Sequence, residues 1–138
     1  MSGVNPNLFE GPDTVTVNVA VTGGQLVMPD STTGRVKPAT AGATTVLGVA
    51  LEDGAPTSAQ TPLNFAIARP EIAVAYGDVD VNVTYAANAA WGVKLKAAAN
   101  GQVTPWVSGT DAADLIVGVC TAPAGVTSGN VGRMRLSV

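Results

Sequence analysis

One short acidic segment has the residue types and spacing that could hold a metal ion. Asp78, Asp80 and Asn82 occupy every second position, as do the first oxygen ligands of a calcium-binding loop. Such a loop also needs a Gly in its middle and a Glu at its end, where this chain has Val83 and Ala89. We therefore expect no metal site here, and we interpret the segment as the polar face of a strand whose other face carries valines.

The sequence contains few further residues that could act in acid–base or nucleophilic catalysis. The turn at Asp30–Gly34 resembles the Asp-Thr/Ser-Gly loop of aspartic proteases, but its Gly comes two residues too late. A serine–lysine pair requires a lysine buried beside a serine, so that its pKa falls. Lys94 and Lys96 lie two residues apart on one face of a predicted strand, and we expect them to be exposed at an edge or rim.

The composition excludes several classes of catalytic site. Histidine is absent and Cys120 is the single cysteine, so the chain has no Ser-His-Asp or Cys-His set and no internal disulfide. We expect Cys120 to be a small buried hydrophobic residue, because it follows an apolar strand pattern. The sequence thus predicts no enzyme activity and no cofactor.

Charge and hydropathy restrict the partners. The chain has 138 residues, 7 basic and 10 acidic side chains and a net charge of −3, which argues against nucleic acid as a direct partner. No apolar run reaches the length of a membrane span, and the first residues lack the basic start of a secretory signal. We expect synthesis in a cytoplasm. Only 12% of residues are charged, so a weakly charged surface is expected to be covered by partners or by other copies.

The sequence predicts an almost entirely β structure. Residues 1–13 are rich in Gly and Pro and are predicted to form a flexible arm before a single domain at residues 14–138. Thr14–Val21 alternates strictly between valine and other residues, as in a half-buried strand. Asn100-Gly101 is the strongest hairpin signal, since both residues accept positive φ.

The second half of the sequence repeats motifs of the first. Gly34–Pro38 aligns with Gly101–Pro105, and Val46–Val49 aligns with Ile116–Val119. Two such β units can pack as the halves of one small barrel or sandwich and bury a valine-rich face that neither buries alone. The duplication concerns the fold and carries no activity.

Aromatic and arginine residues are the candidates for contacts between subunits. Trp91 and Trp106 flank the predicted hairpin, and we expect them to anchor the core or a subunit contact. Arg133 and Arg135 lie two apart in the last predicted strand and so share a face. An arginine pair suits an intersubunit salt bridge or an acidic partner surface, with a solvated strand face as the alternative.

The order of motifs across residues 20 to 138 resembles one protein family. The motifs are Gly24-Gln25-Leu26-Val27, Gly34-Arg35-Val36-Lys37-Pro38, Val46-Leu47-Gly48-Val49-Ala50-Leu51, Tyr76-Gly77-Asp78-Val79, Gly92-Val93-Lys94-Leu95-Lys96, Asn100-Gly101-Gln102-Val103-Thr104-Pro105, Ile116-Val117-Gly118-Val119-Cys120 and Val131-Gly132-Arg133-Met134-Arg135-Leu136. In this order they are similar to the small capsid decoration, or cement, proteins of tailed bacteriophages.

The resemblance implies a β-barrel or β-tulip-like domain that binds the outer surface of an expanded icosahedral head and stabilises it against internal DNA pressure. It implies the major capsid protein and other copies of the chain, as a homotrimer, as partners, and the virion surface as location. The arm residues Val4, Asn5, Leu8 and Phe9 are then expected to contact the capsid. Two alternatives remain open: a phage tail or fibre component, and a carbohydrate-binding adhesive module that uses Trp91 or Trp106.

Overall fold

The computed structural model describes residues 12–30, 34–57 and 69–138. In these ranges the strands are β1 (Asp13–Thr16), β2 (Leu26–Asp30), β3 (Arg35–Pro38), β4 (Gly48–Ala50), β5 (Glu71–Ala75), β6 (Asp80–Thr84), β7 (Lys94–Ala97), β8 (Val103–Pro105), β9 (Ile116–Cys120) and β10 (Val131–Leu136). Two short 3₁₀ turns, Ala99–Gly101 and Ala113–Leu115, accompany them. The all-β class predicted from the sequence is confirmed.

The strands form two antiparallel sheets of five strands each with the same topology. The first sheet has the order β1-β5-β4-β2-β3, and the second has the order β6-β10-β9-β7-β8. Each strand of the first sheet therefore corresponds to the strand five places later in the chain. The internal duplication predicted from the sequence is confirmed. We call β1–β5 the first repeat and β6–β10 the second repeat.

The repeats also agree in register. Within the sheets, the pair Val27–Gly48 of the first repeat corresponds to the pair Leu95–Gly118 of the second. At the isolated bridges, Val17–Val36 of the first repeat corresponds to Tyr85–Val103 of the second. The alignment of Gly48 with Gly118 that the sequence motifs indicate is therefore the alignment in space. The predicted hairpin is also present, because Asn100 has φ 58° and Gly101 has φ 68° between β7 and β8.

Each sheet curls on itself without closing. In the first sheet the chain beyond β1 meets β3 at one bridge, where Asn18 donates its backbone N–H to the oxygen of Val36 at 2.8 Å. In the second sheet Ala86 donates in the same way to Val103 at 2.7 Å. A single bridge does not continue the hydrogen-bond ladder, so the small barrel-like all-β domain expected from the sequence is built, in the described ranges, from two sheets that do not close.

The valine alternation at Thr14–Val21 does not form one continuous strand. β1 ends at Thr16, and the side-chain amide of Asn18 donates to a carboxylate oxygen of Asp30 at 2.7 Å. The chain bends at this hydrogen bond, and Val19 is 46% exposed although its alternation predicted burial. The pattern gave the correct period but did not predict the bend.

The two sheets differ in how many of their faces are buried. Adjacent residues of the first sheet join different apolar clusters: Leu26 and Val27 on β2, Val49 and Ala50 on β4, Val74 and Ala75 on β5. One cluster lies within the first repeat, and the other combines first-sheet residues with the core of the second repeat. In the second sheet buried and more exposed residues alternate, as along β10. The outer face of the second sheet is therefore open to partners.

Candidate interaction surface

The acidic segment before and within β6 is a strand face, as the sequence predicts. Asp80 and Asn82 are exposed, whereas Val81 and Val83, which alternate with them, are buried. Val79 was expected on the buried face but is 40% exposed, because it precedes the strand. Within the described ranges, no group of three or more acidic, histidine or cysteine side chains is placed to hold a metal ion.

Two side chains with reactive groups are enclosed in the second repeat. Cys120 is fully buried, as predicted, and has a free thiol. Tyr85 is also fully buried, and its hydroxyl donates to the backbone oxygen of Arg133 at 2.8 Å. Burial, aided by the neighbouring Cys120 side chain, raises the pKa of Tyr85 well above its usual range. Tyr85 therefore links the chain after β6 to β10. Tyr85 was not among the residues predicted from the sequence, although it continues the alternation of Val81 and Val83.

Lys94 and Lys96 share one face of β7, as predicted, but they do not lie at an edge. β7 is paired with β8 on one side and β9 on the other, so the expected edge position is wrong. Lys94 is exposed, as predicted, whereas Lys96 is half-buried. The Nζ of Lys96 lies 2.7 Å from Oδ2 of Asp111, and the same oxygen accepts the backbone N–H of Val107 at 2.8 Å. These two contacts, chiefly the one with Lys96, hold the pKa of Asp111 below its usual value.

Trp106 is fixed directly after β8. Its backbone N–H donates to the oxygen of Lys94 at 2.8 Å, which places it beside β7. Its indole Nε1 donates to the oxygen of Ala112 at 2.9 Å, so the polar atom of the ring is satisfied within the loop. The Nζ of Lys94 lies 5.6 Å from the ring centroid, within the range of a cation–π interaction. Trp106 thus presents a half-buried, oriented ring rather than a core anchor.

Cross-strand pairing brings Trp106 and Arg135 onto one face of the second sheet. Arg135 is paired with Asp80 on β6 and with Val119 on β9. Val119 is in turn paired with Lys94 on β7, beside Trp106. Directly opposite residues of antiparallel strands place their side chains on the same side. The five residues therefore form a row across the outer face.

The predicted arginine pair extends this row into a larger surface. Arg133 and Arg135 are both exposed on β10, and the Nε of Arg135 lies 3.2 Å from Oδ1 of Asp80. Arg133 donates to the backbone oxygen of Thr121 at 3.0 Å. With the two lysines of β7, four of the seven basic residues of the chain lie here. We call this surface the basic face, formed by Lys94, Lys96, Trp106, Val119, Arg133 and Arg135, with Asp80 of the row at its β6 end.

Trp91 does not lie in the row. It occupies the turn before β7 and is 65% exposed, so it does not anchor the core. A shallow groove beside it is lined by residues 88–91 and 123–127. Of the four residues predicted for subunit contacts, the basic face therefore includes Trp106, Arg133 and Arg135. The predicted arm residues Val4, Asn5, Leu8 and Phe9 lie outside the described ranges.

The row has a counterpart in the first repeat that sequence reasoning did not find. Strand register and backbone hydrogen bonds define the equivalent positions of the two repeats. Ala75 corresponds to Arg135, Val49 to Val119, Leu26 to Lys94 and Ala39 to Trp106. All four counterparts are at most 8% exposed, in the cluster that joins the first sheet to the second repeat. The same face thus docks within the chain in one repeat and is open in the other.

Comparison with known proteins gives a likeness in fold. No family model matches the chain, and no curated protein matches it. A solved structure shares the fold. It is described as the N base of head fiber gp8.5 in bacteriophage phi29, and it aligns with a TM-score of 0.63 at 13% identity over 91% of this chain and 92% of that chain. None of the described helices has the length and apolarity needed to cross a membrane.

Proposed function

We propose that this chain is a structural protein of a bacteriophage particle that binds the outside of an expanded head as a decoration protein. The observation that carries the proposal is the shared fold, which extends over nearly the full length of both this chain and the phi29 head fiber base. The ordered motifs that resemble cement proteins support decoration as the specific role. The proposed location is the outer capsid surface of the virion.

A structural rather than catalytic role is supported by the placement of the reactive groups. The sequence has no histidine, and the thiol of Cys120 and the hydroxyl of Tyr85 are both in the core. Lys94, Arg133 and Arg135 are instead exposed on one sheet face, where cross-strand pairing brings them together. Such a face suits contact with another protein surface. We propose the major capsid protein and further copies of this chain, as a homotrimer, as the partners, with neither nucleic acid nor membrane contacted directly.

Stabilisation by this protein would come from many weak contacts. We propose that the part of the predicted arm that precedes β1 contacts the capsid through Val4, Asn5, Leu8 and Phe9. One short segment that orders on binding has low affinity, because ordering costs conformational entropy. Several segments on one oligomer raise the effective concentration of each further contact and so hold neighbouring capsomers together. This would oppose the outward pressure of packaged DNA.

The test is to mix the purified protein with expanded heads that lack it and to image the particles by electron microscopy. Regular density over the outer shell is the expected result. Density confined to single projecting fibres or to the tail would favour the fibre alternative. Heads that stay bare at micromolar protein would overturn the proposal.

A second candidate is a carbohydrate-binding module at Trp91. The observation in its favour is the 65% exposure of this ring beside the groove of residues 88–91 and 123–127, since an exposed indole can stack on a sugar. Binding on a glycan array that is lost in Trp91→Ala would support it. An array without signal for the wild-type protein would remove this candidate.

A further inference from the structure

We propose that the basic face binds the acidic end of the first repeat in a second copy of this chain. The acidic end is formed by Glu52, Asp53 and Glu71. This inference rests on the self-association in the proposed function and specifies its two surfaces. The contact would be head to tail, with different surfaces from the two copies.

The charges of the two repeats are complementary. Described residues before Val79 include six carboxylates and three basic side chains, whereas those from Val79 onward include three carboxylates and four basic side chains. All four basic residues of the second part lie on the basic face. Complementary charges guide association and disfavour other orientations, because like charges would meet in them.

The basic face retains charge and apolar area for a partner. Within the described ranges, carboxylates pair with Lys96 and Arg135, and neither Lys94 nor Arg133 has such a pair. Val131 lies two residues before Arg133 on the same strand face and is 66% exposed. Together with Val119 and Trp106, it gives the face apolar side chains between charged ones, as at the centre and rim of protein interfaces.

The acidic end has a defined geometry. Glu52 accepts the backbone N–H of Ala73 through Oε1 at 3.0 Å, and Asp53 accepts the backbone N–H of Gly23 through Oδ1 at 2.8 Å. Glu71 begins β5 two residues before Ala73. The exposed Arg69 lies at the same end, because its backbone pairs with Gly54 and Ala55, so the acidic end keeps an excess of negative charge with one basic side chain among its three carboxylates. The three carboxylates are exposed, and the ion pairs between described residues involve none of them. Their bonds to backbone amides fix two of these carboxylates without neutralising them.

The repeat architecture supports another copy as the occupant. In the first repeat the counterpart of the basic face already docks onto a β-repeat, because Leu26, Val49 and Ala75 pack against the second repeat. The second repeat keeps the same backbone surface but carries Lys94, Val119 and Arg135 there. Charged side chains suit a reversible contact between chains. A head-to-tail contact of this kind closes into a ring or continues as a filament.

The test measures self-association of the full chain by sedimentation velocity over a concentration series at low and high salt. The double variant Lys94→Glu/Arg133→Glu is expected to raise the dissociation constant about tenfold or more. The double variant Glu52→Lys/Glu71→Lys should do the same. The control Arg35→Glu/Lys37→Glu makes the same charge change on β3 and should leave association unchanged.

Mixing the two interface variants tests the pairing itself. Each variant repels its own copies, but the reversed face of one complements the reversed end of the other. Association restored in the mixture, with unchanged circular dichroism for each variant, is the expected result. A wild-type chain that stays monomeric at low salt, or reversals that leave association unchanged, would overturn the inference. Binding of the same variants to bare heads is measured separately, so that failure of self-association is distinguished from failure of the decoration role.

Discussion

Gly118 on β9 gives the sharpest test of the duplicated core. A Cβ added at this position would lie 2.5 Å from the backbone oxygen of Arg135 and 2.8 Å from Cγ and Sδ of Met134. The methionine can move, but the carbonyl belongs to the neighbouring strand and cannot withdraw without breaking its pairing. Gly118→Ala should therefore destabilise the fold. The cause would be the steric contact alone, because the φ of Gly118 lies outside the left-handed range and alanine adds no backbone strain there.

The size of the effect can be worked out from these contacts. An extra methyl group forced into a packed interior costs about 1–3 kcal/mol, and a backbone obstacle places this case near about 3 kcal/mol. The unfolding entropy of a 138-residue chain is about 0.3 kcal/mol per kelvin. The thermal midpoint should therefore fall by about 10 °C, and Gly118→Val should disrupt folding further.

Two other glycines complete the experiment. Gly48 is the equivalent residue of the first repeat, and its added Cβ would collide with the backbone oxygen of Ala75 and lie 2.9 Å from Cγ1 of Val74. Gly48→Ala should therefore show a loss at least as large, because its added Cβ comes closer to a backbone oxygen than the one at Gly118. Gly23 is the control, because its added Cβ would meet backbone atoms only at 3.5 Å, and Gly23→Ala should change the midpoint by less than about 2 °C. Scanning calorimetry measures all three, and an unchanged midpoint for Gly118→Ala would refute the reasoning.

Three further substitutions or truncations give separate tests. Tyr85→Phe leaves the backbone oxygen of Arg133 without its hydroxyl donor and should cost about 1 kcal/mol in urea unfolding; an equal midpoint would contradict the role of this hydrogen bond. Asp111→Asn should lower stability at neutral pH, because the contact with Lys96 lowers the pKa of Asp111 in the folded state. That contribution is present above the usual pKa of an aspartate, about 3.9, and is lost as the pH falls through the lowered value, so urea midpoints of the two proteins should converge in acid; a pH-independent gap would argue against it. Deletion of residues 1–11 should leave the unfolding midpoint unchanged but abolish co-sedimentation with expanded heads, and undiminished binding would remove the proposed role of this segment.

Sequence patterns predicted the second repeat best because its sheet has one buried face. Along Asp80–Thr84 and Val131–Leu136 the buried and exposed positions alternate, and the period of two gives both the strand and its orientation. The first repeat has apolar neighbours such as Val49 and Ala50 because both faces of its sheet are buried. Without alternation the sequence located these strands but could not assign their faces.

The basic face was only partly predictable for a related reason. The spacing of Arg133 and Arg135 fixes their common side within one strand, and this prediction is confirmed. Their connection to Lys94 and Trp106 depends on which strands are neighbours in the sheet, and the sheet order is not a local property of the sequence. Because sheet order cannot be read from the local sequence, β7 was wrongly expected at an edge.

The two-sided burial of the first sheet has a consequence for biosynthesis. The amino-terminal half leaves the ribosome first, yet Leu26, Val49 and Ala75 are covered only when residues of the later half arrive. Until then the nascent chain exposes an apolar sheet surface, which is the kind of surface that recruits chaperones or aggregates. Expression of residues 1–78 alone should therefore give inclusion bodies, and slower translation through the middle of the message should lower the yield of folded protein.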